Sequence, residues 1–145
     1  MKFEVLRRVG FLLLLIGFGG ARAADRPGVF RQVFGEQNGS LTTLTNSAVF
    51  PNSPILESIE STFEAPHDWS DSYGTRMRAL VTAPMDGNYT FWISTDDQGA
   101  LFLSSDETPS NRKLIAYVNG WSAFRTWTVE TNQASAPIAL IGGKR

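Results

Sequence analysis

DGNYTFWISTDDQGALFLSS, residues 86–105, is the stretch that decides the fold of this chain. Its first half, YTFWIS (89–94), alternates between one apolar face and one mixed face, the period of two that is typical of a half-buried strand. ALFLS (100–104) repeats the alternation after a short break. Two adjacent carboxylates, Asp96 and Asp97, occupy that break. The pattern predicts a central hairpin of two aromatic-rich strands with a doubly charged loop at its end, where we expect a ligand to bind.

Other segments of the chain show the same alternation, and none beyond residue 23 has convincing helical periodicity. Gly, Pro, Asn and Asp residues separate these segments, as expected of turns. The further predicted strands are residues 29–34, 58–65, 73–83, 113–118, 127–130 and 137–141. The sequence therefore predicts one all-β domain, an antiparallel β-barrel or sandwich.

The first 23 residues have the features of a signal peptide. They begin with basic side chains, continue in an apolar run at 9–20 (VGFLLLLIGFGG), and end in Ala-Arg-Ala. Gly17, Gly19 and Gly20, in the last four positions of the run, disfavour the alternative, a buried N-terminal helix. The run is too short to span a membrane, and no later stretch is apolar enough. We expect cleavage before Ala24, a domain at 24–145, no membrane span afterwards, and a secreted, extracellular or cell-envelope location.

Charge and cysteine content exclude several kinds of function. Of 13 basic and 14 acidic residues, four basic and one acidic lie in the first 23, which leaves nine against 13, a net charge of −4. Since no basic cluster is present, nucleic acid is an unsuitable partner. The chain has no cysteine and one histidine, His67, which excludes zinc sites of the cysteine type and those built on several histidines.

Five motifs together resemble the lectin-like β-barrel domain of the anthrax protective antigen, which is also present in yeast flocculins and in many exported bacterial proteins. The motifs are AVFPNSP (48–54), YGTRMRALVTAP (73–84), GNYTFWISTDD (87–97), LFLSSDETPSNRKLIAYVNGW (101–121) and SAPIAL (135–140). The combination is far more specific than any one motif, and it covers most of the residues after 23.

The resemblance implies a carbohydrate-binding site. In the sugar-binding members, paired aspartates hold a calcium ion that coordinates sugar hydroxyls, and Asp96 and Asp97 stand at those positions, often joined by a cis peptide in the family. Similar domains continue beyond the glycine turn at 142–143 with further strands and calcium ligands, whereas this sequence stops at Arg145. The resemblance therefore predicts a domain truncated at its C-terminus, with the apolar strand at 137–141 left as an unpaired edge.

The residues themselves leave alternatives for each candidate ligand. Adjacent carboxylates suit calcium, which prefers six to eight oxygen ligands, but Asp96 and Asp97 could equally solvate a loop. Trp121 follows a glycine and is the best candidate to stack on a sugar ring, whereas Trp92, in mid-strand, is expected in the core.

We expect a protein without catalytic activity. Glycosidase carboxylates must flank a sugar at separations of about 5 Å or more, and adjacent residues usually diverge. His67 belongs to no recognisable triad. The expected function is therefore an exported module that binds glycans, through calcium held by Asp96 and Asp97. The alternatives are a structural or assembly module that contacts other envelope or extracellular proteins, and an incomplete fragment of a larger secreted protein that needs a partner strand.

Overall fold

The prediction of an all-β fold is confirmed. The structure, a computed structural model, describes residues 2–5, 28–35, 37 and 40–145. Its strands are β1 (Lys2–Val5), β2 (Val29–Gly35), β3 (Leu56–Glu60), β4 (Tyr73–Arg78), β5 (Gly87–Tyr89), β6 (Phe91–Ser94), β7 (Gly99–Leu103), β8 (Lys113–Val118) and β9 (Ile138–Leu140). The helical elements in these residues are short, namely α1 (Leu41–Asn46) and the 3-10 turns Pro109–Asn111 and Thr131–Gln133.

The strand pairs in the described residues are all antiparallel. The largest sheet has the order β3-β2-β4, so β2 is paired on both edges. The other strands form three pairs, β1 with β6, β5 with β9 and β7 with β8. This arrangement agrees with the predicted antiparallel sandwich.

Two groups of buried apolar side chains form the core. The larger group draws on the stretch 86–105 and on β8, and it consists of Ala83, Tyr89, Phe91, Ile93, Leu101, Ala116 and Val118. The smaller group lies against the three-stranded sheet and consists of Val29, Ala65 and Met77. The apolar face that the alternation predicted in residues 89–94 is therefore the buried one.

The predicted central hairpin is wrong. β6 pairs with β1 and not with β7, and the predicted strand 89–94 is divided at Thr90 into β5 and β6. After β6, the N–H of Thr95 donates to the Ser122 hydroxyl over 3.0 Å, and its carbonyl accepts from the Ser122 N–H over 2.7 Å. Because Ser122 takes both backbone groups of Thr95, the chain leaving β6 is held by a distant loop and not by the next strand.

The helix α1 was not predicted. It begins after Ser40, whose hydroxyl accepts from the N–H of Thr43 over 3.0 Å in the usual manner of an N-cap. Its buried residue is Leu44, which lies so close to Gly74 that a Cβ there would come within 2.7 Å of a Leu44 methyl. A helix of six residues is too short to show a periodic pattern.

Two predicted strands end earlier than expected because of the length of their partner. β3 ends at Glu60 opposite Val29, and β4 ends at Arg78 opposite Phe30. Both therefore end where β2 begins, although their side chains continue to alternate. The predicted strand 127–130 is irregular and leads into a 3-10 turn.

The apolar strand expected at 137–141 is β9, which among the described strands is paired on one side only, so its other edge has no strand partner there. β9 pairs with β5, with Gly87 opposite Leu140 and Tyr89 opposite Ile138. The residues that follow are bound as well, since the N–H of Gly142 donates to Asp86 Oδ1 over 2.7 Å. Thr90 separates β5, which pairs with β9, from β6, which pairs with β1.

Most of the predicted signal peptide lies outside the described residues, including the apolar run at 9–20 and the Ala-Arg-Ala sequence at 21–23. The described part is β1, which pairs with β6 so that Lys2 lies opposite Ser94. Among the described residues, no helix combines the length and the apolar character that a membrane span requires.

Candidate functional site

A groove of about 930 Å³ brings together segments that are far apart in the sequence. One wall contains residues 94–98 and 121–124, and the other contains residues 64–75 together with the start of α1. Asp96, Asp97 and Trp121, the three residues proposed from the sequence as ligand contacts, all line this groove.

The loop that carries the two carboxylates is fixed by its neighbours. Asp96 and Asp97 are exposed, whereas Thr95 is buried and donates from its hydroxyl to the Asp97 carbonyl over 2.6 Å. Gln98 Oε1 accepts from the N–H of Leu41 over 3.2 Å, which ties the loop to α1. The charged side chains are therefore presented to solvent from a short and well-anchored turn.

The expected cis peptide between Asp96 and Asp97 is not found. Among the described residues, the cis peptide is Phe50–Pro51. The two carboxylates are therefore presented from a trans peptide.

Trp121 is held beside the carboxylates by a buried hydroxyl network. Ser122 bonds to Thr95 through its hydroxyl and its N–H, and its hydroxyl lies 3.1 Å from the Ser94 hydroxyl. Ser94 in turn donates to the carbonyl of Ala123 over 3.0 Å. The predicted exposure of Trp121 is confirmed, since 61% of its surface is accessible, whereas Trp92 is partly buried as expected.

The opposite wall was missed by sequence reasoning. Trp69 is 41% exposed, lines the groove and packs edge-on against Tyr73 with 5.1 Å between ring centroids. Behind it, the guanidinium of buried Arg31 lies 5.0 Å from the ring centroid. A tryptophan in a polar loop was the available indication, but nothing in the sequence places residue 69 opposite residue 121.

An ion pair joins the two walls. Arg125 Nε and Nη2 each lie 3.2 Å from a carboxylate oxygen of Glu64, so the pair is bidentate. Nearby, the rings of His67 and Phe124 are 4.3 Å apart, and both residues line the groove. The loop after Trp121 is thereby tied to the loop before Trp69.

The groove is acidic. Its lining contains five acidic side chains, and none of the described lining residues is lysine or arginine. The acidic residues are Glu64, Asp68, Asp71, Asp96 and Asp97. Such a lining favours cations and neutral polar ligands and disfavours phosphates and other anions.

The carboxylates of Asp96 and Asp97 are of the chemical type that calcium prefers, but two side chains fill only a few of its coordination positions. Asp96 and Asp97 provide exposed carboxylate oxygens, the kind of ligand that calcium prefers. Within the described residues, no group of three or more His, Cys, Asp or Glu side chains is arranged to hold a metal. An ion bound here would therefore keep coordination positions open for water or for hydroxyls of a ligand.

Comparisons with known proteins give partial similarities. No family model and no solved structure matches the chain. N-acetyl-beta-glucosaminyl-glycoprotein 4-beta-N-acetylgalactosaminyltransferase 1 of Mus musculus is 27% identical over 111 residues, 74% of this chain and 11% of the transferase. Fibrocystin is 30% identical in Canis lupus familiaris and 35% in Mus musculus, each over 80 residues, 50% of this chain and 2% of fibrocystin. The chain thus spans a small fraction of the curated relatives it matches.

Proposed function

We propose that this protein is an exported, non-catalytic carbohydrate-binding module. The observation that supports this most directly is that one hydrogen-bond network holds an exposed tryptophan, Trp121, beside two exposed carboxylates, Asp96 and Asp97, on one wall of an acidic groove. Sugars need this combination, since their C–H faces pack on aromatic rings while their hydroxyls bond to polar groups.

The charge of the groove narrows the class of glycan. Glu64 is paired with Arg125, and the other four acidic side chains of the lining would repel sulfated, phosphorylated or carboxylated sugars. We therefore infer a neutral glycan as the ligand. The similarity to a transferase whose name refers to a glycoprotein sugar supports a glycan-related role.

Calcium enters the proposal through Asp96 and Asp97. When bound, the ion would supply positive charge that attracts vicinal hydroxyls of a sugar. Asp96 and Asp97 would hold the ion, and their loop is fixed because Thr95 bonds to the Asp97 carbonyl and Ser122 bonds to Thr95.

The proposed absence of catalysis rests on the arrangement of Asp96, Asp97 and His67 and not on the lining as a whole, which has carboxylates on both walls. Asp96 and Asp97 are adjacent and both exposed, whereas glycoside hydrolysis needs two carboxylates on opposite sides of a bond. His67 packs against Phe124 and pairs with Asp68 over 3.0 Å, with no nucleophile in that group.

The test is binding of glycans to the exported protein by calorimetry, with and without calcium. We expect neutral oligosaccharides to bind in calcium and the affinity to fall at least about tenfold in the double variant D96N/D97N. W121A should lose a similar amount and W121F should retain most of the affinity, because the ring supplies the stacking surface.

The matched control is E107Q, an exposed carboxylate that does not line the groove. It should bind like the natural protein. Glycan binding that is equal in D96N/D97N, W121A and the natural protein would refute the proposed site. A calcium-dependent rise in melting temperature without glycan binding would support a calcium site but refute the lectin function.

A second candidate function is supported by edge strand β3. β3 pairs with β2 alone among the described strands, and Ile55 and Ile59, in or next to it, are exposed. An apolar edge of this kind suits assembly with another protein by strand addition. Light scattering of I55K/I59K beside the natural protein tests it, since association through β3 should disappear in the variant.

A further inference from the structure

The part of the groove lined by Gln37, Trp69 and Thr75, the inner groove, contains two polar atoms without a hydrogen-bond partner among the described residues. Gln37 Oε1 and Thr75 Oγ1 are both buried, and no described residue bonds to either. Both residues line the groove, and only 7% of the Gln37 surface is accessible. Buried polar atoms are nearly always bonded in folded proteins, so a buried acceptor and a buried hydroxyl without described partners, on residues that line a groove, indicate a place for a polar ligand.

The orientation of the Gln37 side chain is fixed. Its Nε2 donates to the carbonyl of Gly35 over 2.8 Å, and its backbone N–H donates to the carbonyl of Ser72 over 2.9 Å. Because only the nitrogen can donate to a carbonyl, Oε1 is the atom left open, and it can only accept.

Thr75 and Trp69 complete this part of the groove. Thr75 lies on β4 two residues after Tyr73, so the two side chains are on the same face of the sheet. Trp69 packs edge-on against Tyr73 and is partly exposed to the groove. The inner groove thus combines an acceptor, a hydroxyl that can donate, and an apolar wall.

We propose that this inner part is a subsite for the acetamido group of a 2-acetamido sugar. The acetamido N–H complements Gln37 Oε1, its carbonyl complements the Thr75 hydroxyl, and its methyl group complements Trp69. A sugar hydroxyl could satisfy the two polar atoms, but it has no apolar part for Trp69. This inference rests on the proposed function and specifies its ligand class.

The experiment compares N,N′-diacetylchitobiose with cellobiose, which has the same linkage but no acetamido groups, on the exported protein. We expect chitobiose to bind more tightly. T75V should reduce the chitobiose affinity by about five- to tenfold, the usual effect of one hydrogen bond, and should leave cellobiose unchanged. T75S, which keeps the hydroxyl, should bind like the natural protein.

The melting temperature of T75V distinguishes a ligand-binding role of Thr75 from a structural role. Since Thr75 Oγ1 has no partner among the described residues, T75V should melt at the same temperature as the natural protein or slightly higher. The matched control is T90V, a partly buried threonine that does not line the groove, which should not alter binding of either sugar. The side-chain amide of Gln37 provides a measurement without substitution, because its NMR signals should shift when chitobiose is added.

The two proposals fail in different ways. Chitobiose binding that is lost in D96N/D97N but unchanged in T75V, or equal affinities for chitobiose and cellobiose, would overturn the subsite and leave the carbohydrate-binding function. Absence of binding to any neutral glycan would overturn both.

Discussion

Asp106 differs from Asp96 and Asp97 in having its carboxylate engaged within its own turn. It accepts from the N–H of Thr108 over 2.7 Å and from Asn111 Nδ2 over 2.8 Å. The carboxylates of Asp96 and Asp97 have no hydrogen bond in the described part of the chain, which leaves them open to a ligand. All three sit in polar loops, so the difference lies in local hydrogen bonding and not in residue type.

The hydrogen bonds of this turn predict how the ionisation of Asp106 contributes to stability as the pH changes. The bond from the Thr108 N–H, followed by that from Asn111, lowers the pKa of Asp106 below its usual value. Because the folded protein favours the ionised form, this contribution to stability is complete above the unfolded pKa of about 3.9 and is lost as the pH falls through the lower folded pKa. An NMR titration of the Asp106 carboxyl carbon should therefore give a midpoint below about 3.9.

D106N supplies the control for that titration. Its stability difference from the natural protein should shrink as the medium becomes acidic, since asparagine does not titrate. A midpoint at or above the ordinary aspartate value would contradict the hydrogen bonds assigned to this turn.

Between elements, the groove depends on contacts that join irregular segments. Ser122 holds the loop after β6, and the Arg125–Glu64 pair joins the walls. Gly99, the first residue of β7, must also lack a side chain, because a Cβ there would come within 2.3 Å of Thr95 Cγ2. The position of the carboxylates thus depends on close approaches on both sides of their loop.

S122A tests this dependence. Only 2% of the Ser122 surface is accessible, and loss of its hydroxyl leaves the buried N–H of Thr95 without a partner. We expect the free energy of unfolding to fall by about 1–3 kcal/mol. We also expect glycan affinity to fall, because the loops that carry Asp97 and Trp121 lose the side-chain bonds of Ser122 and keep only the bond from the Ser122 N–H to the Thr95 carbonyl. Chemical denaturation and calorimetry measure the two effects.

S105A is the matched control for S122A, since Ser105 is exposed and does not line the groove. It should leave both stability and binding unchanged. A stable S122A protein with natural affinity would show that the network does not position the site.

At the scale of the whole molecule, β6 is paired with β1, a strand that lies within the predicted signal peptide. Phe91 bonds through its N–H and its carbonyl to Ser135, at 3.0 Å and 2.8 Å, so it faces residues 133–135. Backbone groups alternate along a strand, which directs those of Trp92 and Ser94 toward β1. The signal peptide predicted at 1–23 contains β1, so its cleavage would open this edge.

Export should therefore change the N-terminus of the protein and the hydrogen exchange of β6. We expect the exported protein to begin at Ala24, as determined by mass spectrometry. In that protein the amide hydrogens of Trp92 and Ser94 should exchange at least about tenfold faster than that of Phe91, because their partners have been removed. Equal protection at these positions would mean that another strand takes the place of β1.

The sequence by itself determined the fold class and part of the site. Alternation of side chains predicted the buried face at Tyr89, Phe91 and Ile93, and it predicted β8 at its observed bounds. Adjacent carboxylates and a tryptophan after a glycine were recognisable as candidate ligand contacts because they are local features. Local features of this kind follow from side-chain chemistry and the period of a strand, which a single stretch of sequence contains.

Only the tertiary structure decided which strands pair and which loops meet. The alternation is the same whether β6 pairs with β7 or with β1, and the structure places β1 on one side of this segment and Ser122 and Ser135 on the other. Trp69 and Gln37 likewise became candidate ligand contacts only when the fold placed them in the groove with Asp96 and Trp121. Contacts between distant segments depend on the packing of the whole chain, and the period of a strand contains no information about its partner.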